Sequence, residues 1–162
     1  MSSLSRWLRS LQFRWIRFQH YLSGYVKIQL EDRAKEQEKD DPVEVVWSKH
    51  LGKSLYRLEN IPYTEELNLH DVVRCEPRPN GLPTVVEIVS RSGNRTLRVA
   101  FKEEIPVETV SDILSELREK QVYYEKAIAR LFMFNIEPSV NYETVRDYLK
   151  SKQEEGLLWL YE

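Results

Sequence analysis

The sequence predicts an α+β protein in three parts: an N-terminal amphipathic helix, a small, partly open antiparallel β-barrel, and a C-terminal unit in which strands and helices alternate. Three observations predict it. The first 23 residues carry apolar side chains at helical spacing and no acidic residue. Residues 25–102 read as short alternating runs punctuated by Gly, Pro and Asn. From Pro106 onward, two helical stripes are interleaved with short apolar runs.

The totals fit this reading. A chain of 162 residues with 41% hydrophobic and 31% charged residues makes one large domain or two small ones sharing a core. No apolar run approaches the roughly 18 residues that a membrane-crossing helix needs. The single cysteine, Cys75, excludes an intramolecular disulfide and suits a reducing compartment, so a cytoplasmic protein is expected. The net charge of −2 hides an asymmetry: residues 1–30 hold five of the 24 basic residues and none of the 26 acidic ones. A cationic arm precedes an acidic body.

Residues 1–24 form the first part. Leu4, Leu8, Leu11, Trp15, Phe18 and Leu22 follow a 4-3-4-3-4 spacing that makes one helical stripe, with Trp7 alongside. Arg6, Arg9, Arg14 and Arg17 fall on its flanks or opposite side, and Gly24 stops the helix, which is roughly 28 Å long at 1.5 Å per residue. The face Leu4, Trp7, Leu8, Leu11, Trp15 and Phe18 suits docking on the protein's own body, pairing with a second copy, or binding to an anionic membrane surface. An Arg- and Ser-rich, acid-free leader also suits an organellar transit peptide. Contact with a nucleic acid or an acidic protein partner is the remaining reading.

Residues 25–94 are expected to be the barrel. Val26, Ile28 and Leu30 alternate with Lys27 and Gln29, and the charged run 31–41 then reads as a solvated connection. Val43–Leu51 and Ser54–Ile61 read as a hairpin through Gly52-Lys53 with a type II′ turn. Asp71–Glu76 places Val73 and Cys75 on one face. In Thr84–Ser90, Val86 and Ile88 oppose Val85, Glu87 and Val89. Ser92-Gly93-Asn94 turns tightly into Arg95–Lys102, where Leu97, Val99 and Phe101 alternate with Thr96, Arg98 and Ala100.

Residues 95–162 are expected to share the strand 95–102 with the barrel. Pro106 opens a helix carrying Val110, Ile113, Leu114 and Leu117. Gln121–Glu125 reads as a strand, Lys126-Ala127 as a turn and Ala129–Glu137 as a buried strand. Asn141 caps a second helix with Tyr142, Val145, Tyr148 and Leu149, Gly156 stops it, and Leu157–Tyr161 closes the unit. Strand–helix–strand–strand–helix–strand is the ferredoxin-like (βαββαβ) order, a four-stranded antiparallel sheet with both helices on one face.

Five stretches, VKIQL, VVWSKHLGKSLYRLENIPY, LNLHDVVRCEP, VVEIVSRSGNRTLRV and GLLWLYE, resemble in order an uncharacterised bacterial family known as a domain of unknown function. The resemblance covers about residues 25–162 and implies no activity. The family pattern L-x-L-G-D-V-V has glycine where this chain has His70, so the turn there is expected to differ. Residues 1–23 lie outside the pattern.

A search for chemistry finds little. His20, His50 and His70 have no partners at metal-ligand spacing, and Cys75 alternates toward the core. No nucleophile elbow, P-loop or dinucleotide fingerprint occurs. Paired carboxylates such as Glu65-Glu66, Glu103-Glu104 and Glu154-Glu155 read as solvated ends. No catalytic residue, cofactor or metal site is therefore expected. One polar constellation stands out: Arg91, Ser92, Asn94 and Arg95 flank a hairpin tip, with Arg74 and Arg98 on neighbouring strands. It suits an anion or a partner's carboxylate. Alternatively the turn is structural and the arginines pair across strands with Glu76 and Glu87. RNA binding in the RNP manner would need exposed sheet aromatics; Phe132, Phe134, Trp159 and Tyr161 are available, but an acidic body argues for core, and nucleic acid is not expected.

The expectation is a non-enzymatic cytoplasmic interaction or regulatory protein with a protein partner, of immunity- or antitoxin-like kind by analogy. Peripheral membrane association through residues 1–23, and small-anion binding at the arginine-flanked hairpin, are the alternatives.

Overall fold

The computed structural model describes residues 24–30, 43–63, 66–79 and 81–162. The expected N-terminal helix lies outside these residues. Five strands, β1 (Tyr25–Leu30), β2 (Glu44–Gly52), β3 (Leu55–Leu58), β4 (Val72–Glu76) and β5 (Thr84–Ser90), form a closed barrel. Alternation puts Ile28, Leu30, Val46, Leu58, Val73 and Cys75 inside it.

The barrel is closed where the sequence predicts a partly open one, and β5 supplies the reason. Arg74 opposes Glu87 but Cys75 opposes Val85, leaving Val86 extra; Val73 opposes Ile88 but Val72 opposes Ser90, leaving Val89 extra. Each extra residue bends the strand and raises its twist. Thr84 thereby reaches Gln29 of β1 in a parallel contact, and Gln29 N–H donates to the Pro83 carbonyl at 2.9 Å. The same irregularity turns both Val85 and Ile88 toward the barrel core, which simple alternation forbids.

The β2–β3 turn also differs from expectation. Its central residues are Lys53 and Ser54, both left-handed at φ 50° and 64°. Two successive positive φ values are what a type I′ turn requires, not type II′. Gly52, at φ 95°, sits one position earlier, beside a slip in the β2–β3 register.

The remaining elements are β6 (Arg95–Phe101), α1 (Val107–Glu119), β7 (Tyr123–Ile128), β8 (Leu131–Ile136), α2 (Tyr142–Glu154) and β9 (Leu158–Tyr161). They give a four-stranded sheet in the order β7-β8-β6-β9, antiparallel at every junction. The strand expected to serve both halves, β6, pairs with β8 and β9 and so belongs to this sheet. The expected tight hairpin before it is instead a crossing between the two units. Ser92 N–H is drawn to the Asp71 carboxylate at 2.7 Å, and the Asn94 amide donates to the Leu69 carbonyl at 2.8 Å.

Both helices cover one face of the sheet. Val110, Ile113 and Leu117 of α1 and Val145 and Leu149 of α2 pack with Leu97, Val99, Phe101, Phe132, Phe134, Ile136 and Leu158. Each fully buried aliphatic or aromatic side chain there contributes about 1.5–3 kcal/mol. Pro106 precedes α1, and Asn141 caps α2 by accepting from Thr144 N–H at 3.0 Å. The β7–β8 connection falls at Ala129-Arg130, not at Lys126-Ala127, and both flanking strands shift accordingly. Arg130 holds that turn by donating to the Lys102 and Ile105 carbonyls at 2.9 and 2.8 Å.

Candidate functional site

The second face of the sheet is where the two units meet. Cross-strand register arranges it in rows: Thr96, Asn135 and Tyr123; then Tyr161, Arg98, Met133 and Glu125; then Trp159, Ala100, Leu131 and Ile128.

The connection from β3 to β4, described at residues 59–63 and 66–71, covers the centre of the first two rows, leaving Tyr123 and Tyr161 at their ends exposed. Ile61 and Leu69 pack on Met133. Glu125 Oε2 accepts from the Asn60 amide at 3.2 Å and from Ile61 N–H at 3.3 Å. Arg98 Nε donates to the Tyr63 carbonyl at 2.6 Å, and Thr96 Oγ1 donates to Asn68 Oδ1 at 2.9 Å. Burial holds the Glu125 carboxyl above its ordinary range, opposed by the hydrogen bonds from Ile61, Asn60 and Tyr123.

The third row stays open. Trp159 is 50% exposed and Ile128 69%, with Ala100 and Leu131 half-buried between them. Four apolar side chains thus cross all four strands, a strip about 14 Å wide at roughly 4.8 Å per strand. Exposed Tyr161 and Tyr63 adjoin it through Arg98, and Lys102 Nζ lies 5.5 Å from the Trp159 ring centroid. An apolar row on a solvent-facing sheet surface is a feature of docking surfaces, because it gains area on contact without stranding polar groups.

The sequence-predicted arginine cluster is divided. Arg74 pairs with Glu87 across β4 and β5 at 3.1 Å, as the structural alternative anticipates. Arg95 lies over the Tyr142 ring, 3.2 Å from its centroid. Only Arg91, Ser92 and Asn94 stay together: Arg91 and Ser92 hold Asp71, a fully buried carboxylate, while Asn94 N–H donates to Ser92 Oγ at 3.1 Å. Arg91 donates to Asp71 at 3.1 Å and to the Glu66 carbonyl, and Asn68 N–H donates to Asp71 at 3.0 Å. Asp71 is thus the hub of the crossing between barrel and sheet, with an acceptor role filled from within the chain. Its sequence signal is position: a carboxylate in step with the buried Leu67 and Leu69.

The other candidates have structural settings. Cys75 is buried, and burial pushes its thiol up to about 12. His50 contacts the Tyr56 ring at 4.9 Å, and His70 Nε2 lies 3.9 Å from Glu59. Phe132 and Phe134 join the helix-facing core, whereas Trp159 and Tyr161 are open. Among the described residues, no three His, Cys, Asp or Glu side chains could hold a metal ion, and no helix is long and apolar enough to cross a membrane. Leu4, Trp7, Leu8, Leu11, Trp15 and Phe18 lie outside the described residues. The strip itself escapes the sequence reading, because its members come from four strands whose register only the fold supplies.

A family model described as "Domain of unknown function (DUF4265)" matches residues 44–160. The match begins at β2, so β1, which closes the barrel, precedes it. No curated protein matches the chain. Among solved structures, one described as a novel crystal structure of a hypothetical protein from Neisseria gonorrhoeae is similar with a TM-score of 0.67 at 18% identity, over 84% of this chain and 92% of that one. At that identity the likeness shows the fold alone.

Proposed function

This chain belongs to the DUF4265 family, and we propose that it is a non-enzymatic, cytoplasmic interaction protein that binds a protein partner through the strip Trp159–Ala100–Leu131–Ile128. The observation that carries the reading is the half-covered sheet face: residues 59–63 and 66–71 cover the centre of two rows, while the third exposes Trp159 and Ile128. Exposed tryptophan beside tyrosine on rigid strands offers anchors that lose little conformational entropy on binding. The order β7-β8-β6-β9 supports a ferredoxin-like reading of the sheet unit, with residues 59–63 and 66–71 lying on the face that the helices leave free. An immunity- or antitoxin-like role is the narrower form of the proposal, supported by the acidic balance after residue 30.

The test is affinity capture from native lysate with the full chain and with Trp159→Ala and Ile128→Glu, using Val89→Glu on the barrel as control. A stoichiometric partner is expected with wild type and the control and is lost with the strip variants. A partner held equally by all four would overturn the role of the strip.

A second reading, peripheral membrane association, is favoured by the content of residues 1–23: Trp7, Trp15 and Phe18 among four arginines and no acid. Co-sedimentation with anionic vesicles should then be lost on deleting residues 1–23. Equal binding by the shortened chain removes that reading.

A further inference from the structure

We infer that the outer face of β1 and β2, with the β2–β3 turn, is a binding surface for single-stranded nucleic acid. Tyr25 and Trp47 are its platforms for bases, and Lys27, Lys49 and Lys53 are its contacts for phosphates. The surface lies on the barrel, apart from the strip on the sheet, and does not rest on the function proposed above.

The arrangement follows from register. Ile28, Leu30, Val46 and Leu58 point into the barrel, so the residues that alternate with them point out. On that outer side Lys27 opposes Trp47, and Tyr25 opposes Lys49. Each pair sets one ring beside one cation, and the order reverses from one pair to the next. The pairs stand about 6.8 Å apart along the strands, with about 4.8 Å between the strands. Lys27 Nζ lies 5.2 Å from the Trp47 ring centroid. One diagonal of rings and one of cations match a single strand, whose bases offer flat π faces and whose backbone carries a charge at every nucleotide.

Charge is segregated in the same way. All 26 acidic residues lie within residues 31–44 and 59–162, whereas residues 25–30 and 45–58 hold Lys27, Lys49, Lys53 and Arg57 against none. The acidic balance that argues against nucleic acid for the whole chain is therefore reversed on these strands. The two acids at their borders are engaged: Glu44 accepts from Tyr63 N–H at 2.6 Å, and Glu59 accepts from Arg57 Nε at 2.7 Å. Arg57 is thereby neutralised. Lys27, Lys49 and Lys53 are exposed and form no ion pair among the described residues. Uncompensated cations on one rigid face attract a polyanion. A membrane surface would instead select an apolar face with cations at its rim, and here the cations alternate with the rings.

The test is fluorescence anisotropy of end-labelled oligo(dT) and oligo(U) of about 15 nucleotides, titrated with the full chain between about 50 and 200 mM salt. Both are expected to bind, because stacking and phosphate contact read no sequence. Trp47→Ala should weaken binding at least about 5-fold, and Trp47→Phe should restore most of that loss. Lys27→Gln combined with Lys49→Gln should flatten the log–log salt slope by about 1.4, at about 0.7 per lost contact. Lys126→Gln and Trp159→Ala, both on the sheet, should change neither quantity. Each variant is checked for a native thermal transition, and the exposed lysine pair decides the matter if Trp47→Ala fails to fold. Affinity and slope untouched by the Trp47 and lysine variants would put the nucleic acid elsewhere on the chain and overturn the inference. So would an absence of binding at about 50 mM salt, or phosphatidylserine vesicles bound through Trp47 and Lys49 while the oligonucleotides are not.

Discussion

Arg98 Nε donates to the Tyr63 carbonyl at 2.6 Å across 35 residues of chain. The same guanidinium reaches the Pro62 carbonyl at 3.4 Å, and Arg98 is only 6% exposed. One side chain on a central strand thus fastens the β3–β4 connection to the sheet. Arginine suits the task because its fork donates in several directions at once.

Arg98→Met keeps the apolar stem and removes these donors. Hydrogen bonds from a charged group contribute about 1.5–3 kcal/mol, so a loss of that order is expected. Urea denaturation should show a lower midpoint with an unchanged slope. A midpoint equal to wild type would mean that the connection is held without Arg98, by Ile61 and Leu69 packing and by the Glu125 and Thr96 hydrogen bonds.

His70 has φ 66°, a left-handed conformation, at the position where the family pattern carries glycine. An L-residue there costs roughly 1–2 kcal/mol, partly offset on substitution by the greater unfolded freedom of glycine. His70→Gly should therefore raise stability by up to about 1 kcal/mol, and His70→Val should lower it, since a β-branched residue tolerates positive φ least. Thermal melts of the two variants check the order; Val above Gly would contradict it.

Glu125 gives a signed dependence on pH. Burial raises its folded pKa, so ionisation is harder in the folded chain than in the unfolded one. The stability associated with the neutral form is fully present below the ordinary carboxylate pKa of about 4.3 and is lost as pH rises through the raised folded value. Glu125→Gln cannot ionise. The variant should gain on wild type as pH is raised from the ordinary carboxylate range to neutrality, measured by urea unfolding across that range. A difference that is flat with pH would count against the burial of this carboxyl.

Cys75, buried at 2% exposure with its thiol pushed up to about 12, should resist thiol reagents at pH 8. Disulfide-exchange labelling of the native chain is expected to proceed only through unfolding, and to become rapid in urea. Fast labelling of the folded protein would show that β4 opens locally.

Periodicity made most elements legible. Val110, Ile113 and Leu117, the Asn141 cap and the Val73–Cys75 face all follow from spacing. What spacing cannot carry is an inserted residue. Val86, Val89 and Ala127 break the two-residue period, and with it the faces of β5 and β7 and the closure of the barrel. The candidate site was less legible for a different reason. Arg91 and Arg95 flank the predicted hairpin tip with Arg74 on a neighbouring strand, yet each finds its partner on another element: Asp71, Tyr142 and Glu87 respectively. The open strip has no local signature at all, since Ile128 and Trp159 meet only through two intervening strands.

The seam between the units also has a timetable. Asn60 and Glu125, its hydrogen-bonded partners, are 65 residues apart. A chain made from its N-terminus completes β1–β5 before any of the sheet exists, so the nascent barrel must carry Ile61 and Leu69 without Met133 to cover them. Closure of that long loop precedes its reward, the circumstance that slows folding in proteins rich in distant contacts. The interval between the synthesis of β5 and that of β8 is therefore when this chain is most exposed to aggregation and has most to gain from a chaperone.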